Sequence, residues 1–458
     1  MRNYRGKGFE VSFKPILGFL LISFYLKFAH PMNLNFVFFL FFTWWPPKEN
    51  IIADGYVDKL SAHVGDSLSV FINAHMKKED FVLKLYNLKG DLVARYRVNV
   101  FPQEKRKDKP WENGFGYKPT LKIKVPSLRS GVYLWDDQIP FVVKSAKPKI
   151  IVVYSSNTEN AYCNSGGKSL YAFNSSEKKP AAIVSFLRPI PLPKHSEAFL
   201  KWFCKQNYSN VGYITDGDLD NYDEIKDAKL LMIVGHSEYW SLEARRNFDR
   251  FVDEGKNALV LSGNTMWWQV RYNKSAHQLI GYKDYPDPDP NVCLHTTHWD
   301  EPILGYPIIG SIGADFPRAG YGQKIDQGWD GYKIILPNSP LLKGLKIKKG
   351  DVLKLSSDEC DGAPIKGFSK PLTPEIDQQQ LGFEKIEIVG YDSTFRNKPG
   401  LATWIVFKKA EKSGIVINTA STDWCSHRGM GSDEIKKITL TMVNKLLRNE
   451  NVFSSGEK

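Results

Sequence analysis

Cysteine is scarce: 458 residues hold five, Cys163, Cys204, Cys293, Cys360 and Cys425, an odd number with no CxxC pair. That count supports neither a disulfide framework nor a cysteine-built zinc site. The loop after the first β-branched run of the second half holds Gly166 and Gly167 but no G-x-G-x-x-G and no P-loop pattern, which argues against a nucleotide cofactor. No apolar run ends in a Gly-x-Ser-x-Gly or Gly-x-Cys-x-Gly elbow, so a serine or cysteine nucleophile lacks its usual support. No apolar stretch reaches the roughly 20 residues of a smooth membrane-spanning helix, and there is no internal repeat.

What the chain has in excess is positive charge. The net charge is +12, but the lysines are spread, and runs such as Lys105 to Lys109 and Lys346 to Lys349 read as solvated loops. No nucleic-acid partner is expected. Positive residues also precede an apolar run at the start: Arg2, Arg5, Lys7 and Lys14, then Ile16 to Leu26, with a second run at Phe36 to Trp45. Charge followed by a short apolar segment is the design of an export signal or anchor, so residues 1–50 are read as signal or anchor plus linker, with membrane attachment at the N-terminus. The alternative is a start at Met32, or a cytoplasmic protein whose first residues are miscalled.

Residues 55–146 alternate in short strands separated by turns such as Gly65-Asp66 and Lys89-Gly90-Asp91, the pattern of an immunoglobulin-like sandwich. Lys147 opens a different regime. Apolar runs at Pro148 to Tyr154, Val211 to Thr215, Leu230 to Val234, Asn257 to Leu261 and Gly414 to Thr419 are interleaved with amphipathic segments. That rhythm predicts an α/β domain over 147–450, a glutamine-amidotransferase-like, flavodoxin-like parallel sheet. An irregular stretch rich in Pro, Gly and aromatics, about 275–403, is read as an insertion at its carboxyl edge.

The most informative stretch is Leu230 to Arg271. It reads as a buried strand stopped at Gly235, a turn carrying His236, Ser237, Glu238, Tyr239 and Trp240, a helix capped by Ser241, and a second strand closed by Ser262, Gly263, Asn264 and Thr265. Two parallel strands joined by a right-handed helical crossover put both turns on one sheet edge, where α/β sheets bind ligands. Loops at Ser155 to Tyr171, Ser421 to Arg428 and Ser356 to Asp361 should join them. A glutamate with tyrosine oxygens suits a hard trivalent cation better than zinc, whose sites prefer nitrogen and sulfur. The bland alternatives stay open: a Glu and Tyr at a strand end are more often a hydrogen-bonded pair, and Trp267 and Trp268 are more often core than pocket wall.

The segments SSNTENAYCNSGGKSLY, GHSEYWS, SGNTMWWQVR and STDWCSHRG, in that order, resemble the large subunit of N,N-dimethylformamidase and its relatives, as do GYVDKLSAHVGDSL and SGVYLW in the front segment. The resemblance spans roughly residues 55–448. It implies an iron-dependent hydrolase of a small N-substituted amide, with one mononuclear iron, Fe(III), acting as Lewis acid and held by two tyrosines and a glutamate. The glutamate falls on Glu238 and one tyrosine on Tyr162. The other falls on Tyr133, with Tyr171 as the alternative. His236, Asn264 and Glu359 take the catalytic positions, Asn264 as an oxyanion donor, while the family's catalytic lysine has Lys283 as a candidate only. Trp267, Trp268 and Trp424 would wall the pocket. The same resemblance implies a small amide substrate, a small partner subunit and a homo-oligomer. Two rivals remain: a non-catalytic exported or membrane-tethered binding protein with a degenerate site, and a metal-independent hydrolase using Cys163.

Overall fold

The computed structural model describes residues 51–322, 328–370 and 373–454; the expected hydrophobic segment, 1–50, lies outside the described residues. Among the described residues no helix is long and apolar enough to cross a membrane.

The front of the described chain forms two sheets. One holds Ile52–Val57, Ser67–Ala74 and Leu121–Lys124; the other holds Ser61–Ala62, Ile139–Val143, Gly131–Trp135, Lys78–Asn87 and Leu92–Val100. Their inner faces follow from period-two alternation. Leu68, Val70, Ile72 and Ala74 point inward from one strand and meet Leu83, Leu85, Trp135 and Phe141 from the other sheet. Lys144, just past the last of these strands, fixes the front segment to the rest: its Nζ lies 3.0 Å from Asp218 Oδ1 and 2.6 Å from Glu224 Oε1.

The remainder is organised on one eleven-stranded sheet. Along its main path the order is Val211–Thr215, Ile150–Tyr154, Leu230–Gly235, Asn257–Ser262, Ile415–Asn418, Lys398–Lys408, Lys385–Arg396, Asp315–Tyr321 and Glu359–Gly362. The first five of these pair in parallel, and pairing from Ile415–Asn418 onward is antiparallel. The expected flavodoxin-like parallel sheet is therefore corrected: this is a large mixed sheet in a mostly β-strand chain, with only 20% helix. The reason lies in the stretch 275–403. Its prolines, glycines and bulges hid long strands, above all a hairpin in which Lys385–Arg396 pairs with Lys398–Lys408 across a register shift between Ile388 and Gly390.

Buried layers flank the sheet on both faces. One contains Leu200, Phe203, Met232, Leu259, Ile417, Ile438 and Met442, so that the helices Glu197–Phe203 and Asp433–Leu447 cover that side. The other contains Ile233, Phe248, Phe251, Val260 and Ile405, under the helix Leu242–Asp253. Ser241 Oγ accepts from Ala244 N at 3.0 Å, the cap that the sequence predicted. At Gly235 the chain must leave the sheet sharply, with φ of +81°, and a Cβ there would sit 2.8 Å from that of Ser196. Only glycine suits both conditions. It is this turn that delivers the next three residues to the sheet edge.

Candidate functional site

Gly235 and Ser262 are register partners, so the two strands end side by side. Beyond them the loops pair again, Tyr239–Trp240 running parallel to Trp268–Gln269. Glu238 is thus clamped by its backbone: its carbonyl accepts from Trp268 N at 2.9 Å and its N–H donates to Thr158 Oγ1 at 3.0 Å. Thr158 belongs to the helix Ser156–Tyr162, which forms where an open loop was expected after the strand Ile150–Tyr154. Asp216 accepts from Asn157 N at 2.7 Å and anchors the start of that helix; Tyr162 ends it.

The side chains converge. Tyr171 donates its hydroxyl to Glu238, 3.0 Å from Oε1 and 3.1 Å from Oε2. Tyr239 Oη lies 2.6 Å from Tyr171 Oη, and Lys283 Nζ donates to Tyr239 Oη at 2.7 Å while sitting 3.3 Å above the Tyr171 ring. The Tyr162 and Tyr171 rings are 4.1 Å apart between centroids. On the other side of Glu238, His236 Nε2 lies 3.3 Å from Glu238 Oε2 and 3.2 Å from Glu359 Oε2, ion pairs whose angles fall short of hydrogen bonds. Asn264 Nδ2 donates to the same Glu359 oxygen at 3.0 Å.

Electrostatics divides this cluster into two halves. Burial, reinforced by the Glu238 charge, holds Tyr162, Tyr171 and Tyr239 well above the ordinary phenol range, and burial raises Glu238 as well. Lys283 is pushed down to about 8, again by burial. For His236 burial pulls the other way but loses to Glu359 and Glu238, so the imidazole rises to about 9. Glu359 is correspondingly held below its usual value, the desolvation of its site outweighed by His236. The pair His236–Glu359 is therefore charged at neutral pH. The phenol–carboxylate half meets the Lys283 ammonium and the edge of His236, whose charges offset the burial of Glu238 only in part.

Of the residues singled out from sequence, Tyr162, His236, Glu238, Asn264 and Glu359 meet here, and so do the two candidates, Tyr171 and Lys283. Tyr133 does not. It lies in the core of the front sheets, where its hydroxyl donates to the Arg129 carbonyl at 2.6 Å, and Tyr171 is the tyrosine that reaches Glu238 beside Tyr162. Trp424 is also elsewhere, its ring 5.3 Å from that of Trp404 and its Nε1 bonded to Thr439. Trp268 does line the site, 4.5 Å under the Lys283 ammonium. Asn264 directs one of its two amide N–H groups at Glu359. Cys163 Sγ faces the Pro189 carbonyl at 3.2 Å, which gives a thiol nucleophile no base. Sequence reading missed Tyr239 as the bridge between Lys283 and Tyr171, and Glu159, which lies one turn before Tyr162 on a helix taken for a loop.

A family model described as N,N-dimethylformamidase beta subunit-like, C-terminal, matches residues 88–431. The chain belongs to that family. Its description is consistent with amide hydrolysis at the level of the family. No curated protein matches the chain. Among solved structures, a protein from Bacteroides uniformis described as ThuA-like is similar at 11% identity over 67% of this chain and 96% of that one, with a TM-score of 0.33; at that score the likeness carries no argument.

A second group in this family member could hold a metal ion: ligand atoms of His195, Asp358 and Asp423 lie within 4.8 Å of one another. It adjoins the site, since the His195 and His236 rings meet edge to face at 5.5 Å. Arg428, however, already supplies a cation there, its Nη1 lying 2.8 Å from Asp358 Oδ1 and 3.2 Å from Asp423 Oδ1. In the phenol–carboxylate half the nearby cation is Lys283, which bonds Tyr239 Oη at 2.7 Å.

Gly263 shows how tightly the loops are pressed together. A Cβ at this position would lie 2.5 Å from Thr422 N and 2.6 Å from Glu359 O, both backbone atoms that cannot swing aside. Gly263→Ala should therefore displace Asn264 and Glu359 and lower amide turnover by about 10–100-fold, as loss of a supporting contact does, with the circular dichroism spectrum retained. Steady-state kinetics on the folded variant check it.

Proposed function

We propose that this chain hydrolyses a small N-substituted amide using a hard metal ion, ferric iron, held by Tyr162, Tyr171 and Glu238. The observation that carries the reading is the Tyr171 hydroxyl lying against both Glu238 oxygens with the Tyr162 ring packed at 4.1 Å from its own, tilted by 31°. The donor set fits such a cation: three oxygens, on buried Glu238 and the half-buried Tyr162 and Tyr171, each driven towards its protonated form by desolvation, are a site that an ion of high charge would ionise. Bound there, the ion would supply Lewis acidity to the amide carbonyl and lower the pKa of water.

The protein's own groups would do the rest. Water attacks the carbonyl carbon while its proton passes to Glu359, a carboxylate already ionised by its neighbours. The C–N bond breaks as His236, protonated at neutral pH, gives its proton to the departing nitrogen. The proton on Glu359 then returns to His236 across 3.2 Å, leaving a carboxylic acid and an amine. Asn264 keeps Glu359 aimed, and Lys283 places positive charge where the carbonyl oxygen becomes negative. A small partner subunit, a homo-oligomer, and export or anchoring through residues 1–50 belong to the same proposal.

The test is metal analysis of the purified protein with visible spectroscopy and an amine-release assay on N,N-dialkyl amides. Stoichiometric iron, a tyrosinate-to-iron charge-transfer band and turnover are expected. Tyr171→Phe should shift and weaken the band, because Tyr162 still supplies a phenolate, the double variant Tyr162→Phe/Tyr171→Phe should remove it, and Tyr133→Phe should leave it unchanged. A protein without iron whose turnover ignores Tyr171→Phe would overturn the reading in favour of a metal-free site.

A further inference from the structure

Asp361 stands two residues beyond Glu359 on the strand Glu359–Gly362, so the two acids lie on one face of it. They reach neighbouring residues of one turn: Asn264 Nδ2 donates to Glu359 Oε2 at 3.0 Å, and Thr265 N donates to Asp361 Oδ2 at 3.2 Å. Glu359 takes a proton in the proposed hydrolysis, whereas Asp361 has no part in it. Asp361 is fully buried, and its Oδ1 has no partner among the described residues. An acid taken out of water in this way costs stability unless its contacts offset the loss. Burial pushes its carboxyl up to about 8, with the N–H groups of Thr265 and Asn264 opposing, so at neutral pH it is mostly an uncharged acceptor of fixed shape.

The turn it meets is strained. Asn264 and Met266 have φ of +48° and +57°, left-handed conformations that side chains other than glycine adopt rarely, and Thr265 lies between them. Backbone of this kind persists only where its surroundings hold it. Thr265 Oγ1 donates to Ser262 Oγ at 3.0 Å and Met266 N to the Ser237 carbonyl at 2.9 Å, but among the described residues Asp361 is the one acceptor for Thr265 N. The Asp361 N–H in turn donates at 3.1 Å to the carbonyl of Ala420, a third left-handed residue, with φ of +56°. One buried acid therefore fastens the turn that carries Asn264 to the loop that follows the strand Ile415–Asn418.

We propose that Asp361 is a positioning residue for the reaction: through Thr265 it keeps Asn264 in the left-handed conformation that directs its amide at Glu359, and so holds Glu359 aimed at the attacking water without itself touching substrate. The effect on turnover rests on the hydrolase reading, while the linkage from Asp361 through Thr265 and Asn264 to Glu359 stands on geometry alone. Removing the Asp361 oxygen leaves the Thr265 N–H buried without an acceptor. The turn then relaxes away from positive φ and carries the Asn264 side chain off Glu359.

Two measurements on the full chain test it: steady-state kinetics of the metal-loaded protein on N,N-dimethylformamide, and NMR of the Asn264 side-chain amide in protein isotopically labelled at asparagine, the signal being assigned by its loss in Asn264→Ala. Asp361→Ala should lower kcat by about 10–100-fold with KM unchanged, the scale of losing a group that orients a reacting one. Asp361→Asn, which keeps an oxygen for Thr265 N, should recover most of that loss. In the Asn264→Ala background Asp361→Ala should have little further effect, because the two residues act in series. The Asn264 signal should lose its hydrogen-bonded shift in Asp361→Ala and keep it in Asp361→Asn. Asp361→Leu, which fills the space and accepts nothing, takes the place of the alanine variant should that one fail to fold. Losses in Asp361→Ala and Asn264→Ala that multiply in the double variant, or an Asn264 signal that Asp361→Ala leaves unmoved, would overturn the proposal. Failure of the hydrolase reading looks different: the wild type releases no amine, while the Asn264 signal still answers to Asp361→Ala.

Discussion

Glu238→Gln is expected to lower amide turnover on the order of 10³-fold or more, beyond the 10–100-fold that follows loss of a merely supporting contact. The same change should leave the metal-free protein as stable as the wild type or more so. Two observations set these opposite signs. Glu238 is the carboxylate on which Tyr171 and His236 converge, so the phenol side and the imidazole side of the site meet on it. It is also buried, and burial raises its pKa. A folded-state pKa above the unfolded value means that ionising Glu238 costs stability at neutral pH, a cost absent in acid, where both states are protonated. Glutamine keeps an oxygen for the Tyr171 hydroxyl and removes the charge. Thermal melts of the chelated proteins, beside turnover of the metal-loaded ones, separate the two effects; a lower melting temperature with turnover retained would show Glu238 to be a structural acid.

How much of this was legible beforehand can be judged from particular residues. The strand–turn–helix–strand run from Leu230 to Ser262 was, because each signal in it is local: an unbroken apolar run, a glycine forced to positive φ, a serine cap and a period of 3.6. Local signals also placed Glu238, His236 and Asn264 at one edge. Which tyrosine joins them was not legible. Tyr133 and Tyr171 both sit in aromatic-rich segments, and the difference is that Tyr133 lies on a strand whose inward residues fill the front core, while Tyr171 lies beyond a loop fastened over the site. That is information about distant contacts. The sheet was misjudged for a related reason. The strands between 315 and 408 are held by pairing with one another, and bulges and internal glycines blur the alternation by which isolated strands are recognised.

The loop that fastens Tyr171 also explains why Lys283 could not be assigned from sequence. Its ammonium takes its place from three aromatic faces, those of Tyr171, Tyr239 and Trp268, contributed by segments far apart in the chain. Aromatic faces hold a cation without a carboxylate partner in the first contact, which leaves Lys283 partly desolvated and near neutrality in pKa, able to respond to charge developing beside it.

Replacing Arg188 with alanine is expected to cost about 3–5 kcal/mol of stability and, in whatever protein remains folded, about 10–100-fold in turnover. Arg188 touches no reacting group. It is fully buried, and its guanidinium donates to neutral oxygens: Nη1 to the carbonyls of Ser165 and Lys168 at 2.8 and 2.9 Å, Nη2 to the Asn160 carbonyl at 2.8 Å, and Nε to the Ser185 carbonyl at 3.0 Å. Burial accordingly lowers its pKa to about 10. Three of these acceptors, on Asn160, Ser165 and Lys168, flank Tyr162 and precede Tyr171, so one side chain ties the end of the helix to the loop that leads to Tyr171. Alanine would leave several buried carbonyls without donors and open a cavity where the guanidinium now packs. Arg188→Lys, with one nitrogen in place of a planar fork, should recover only part of the loss. Chemical denaturation gives the first quantity and steady-state kinetics the second. Should the alanine variant melt and turn over like the wild type, the loop must be held by its own turn contacts, such as Ala181 N to the Ser169 carbonyl at 2.7 Å, and the position of Tyr171 would not depend on the arginine beneath it.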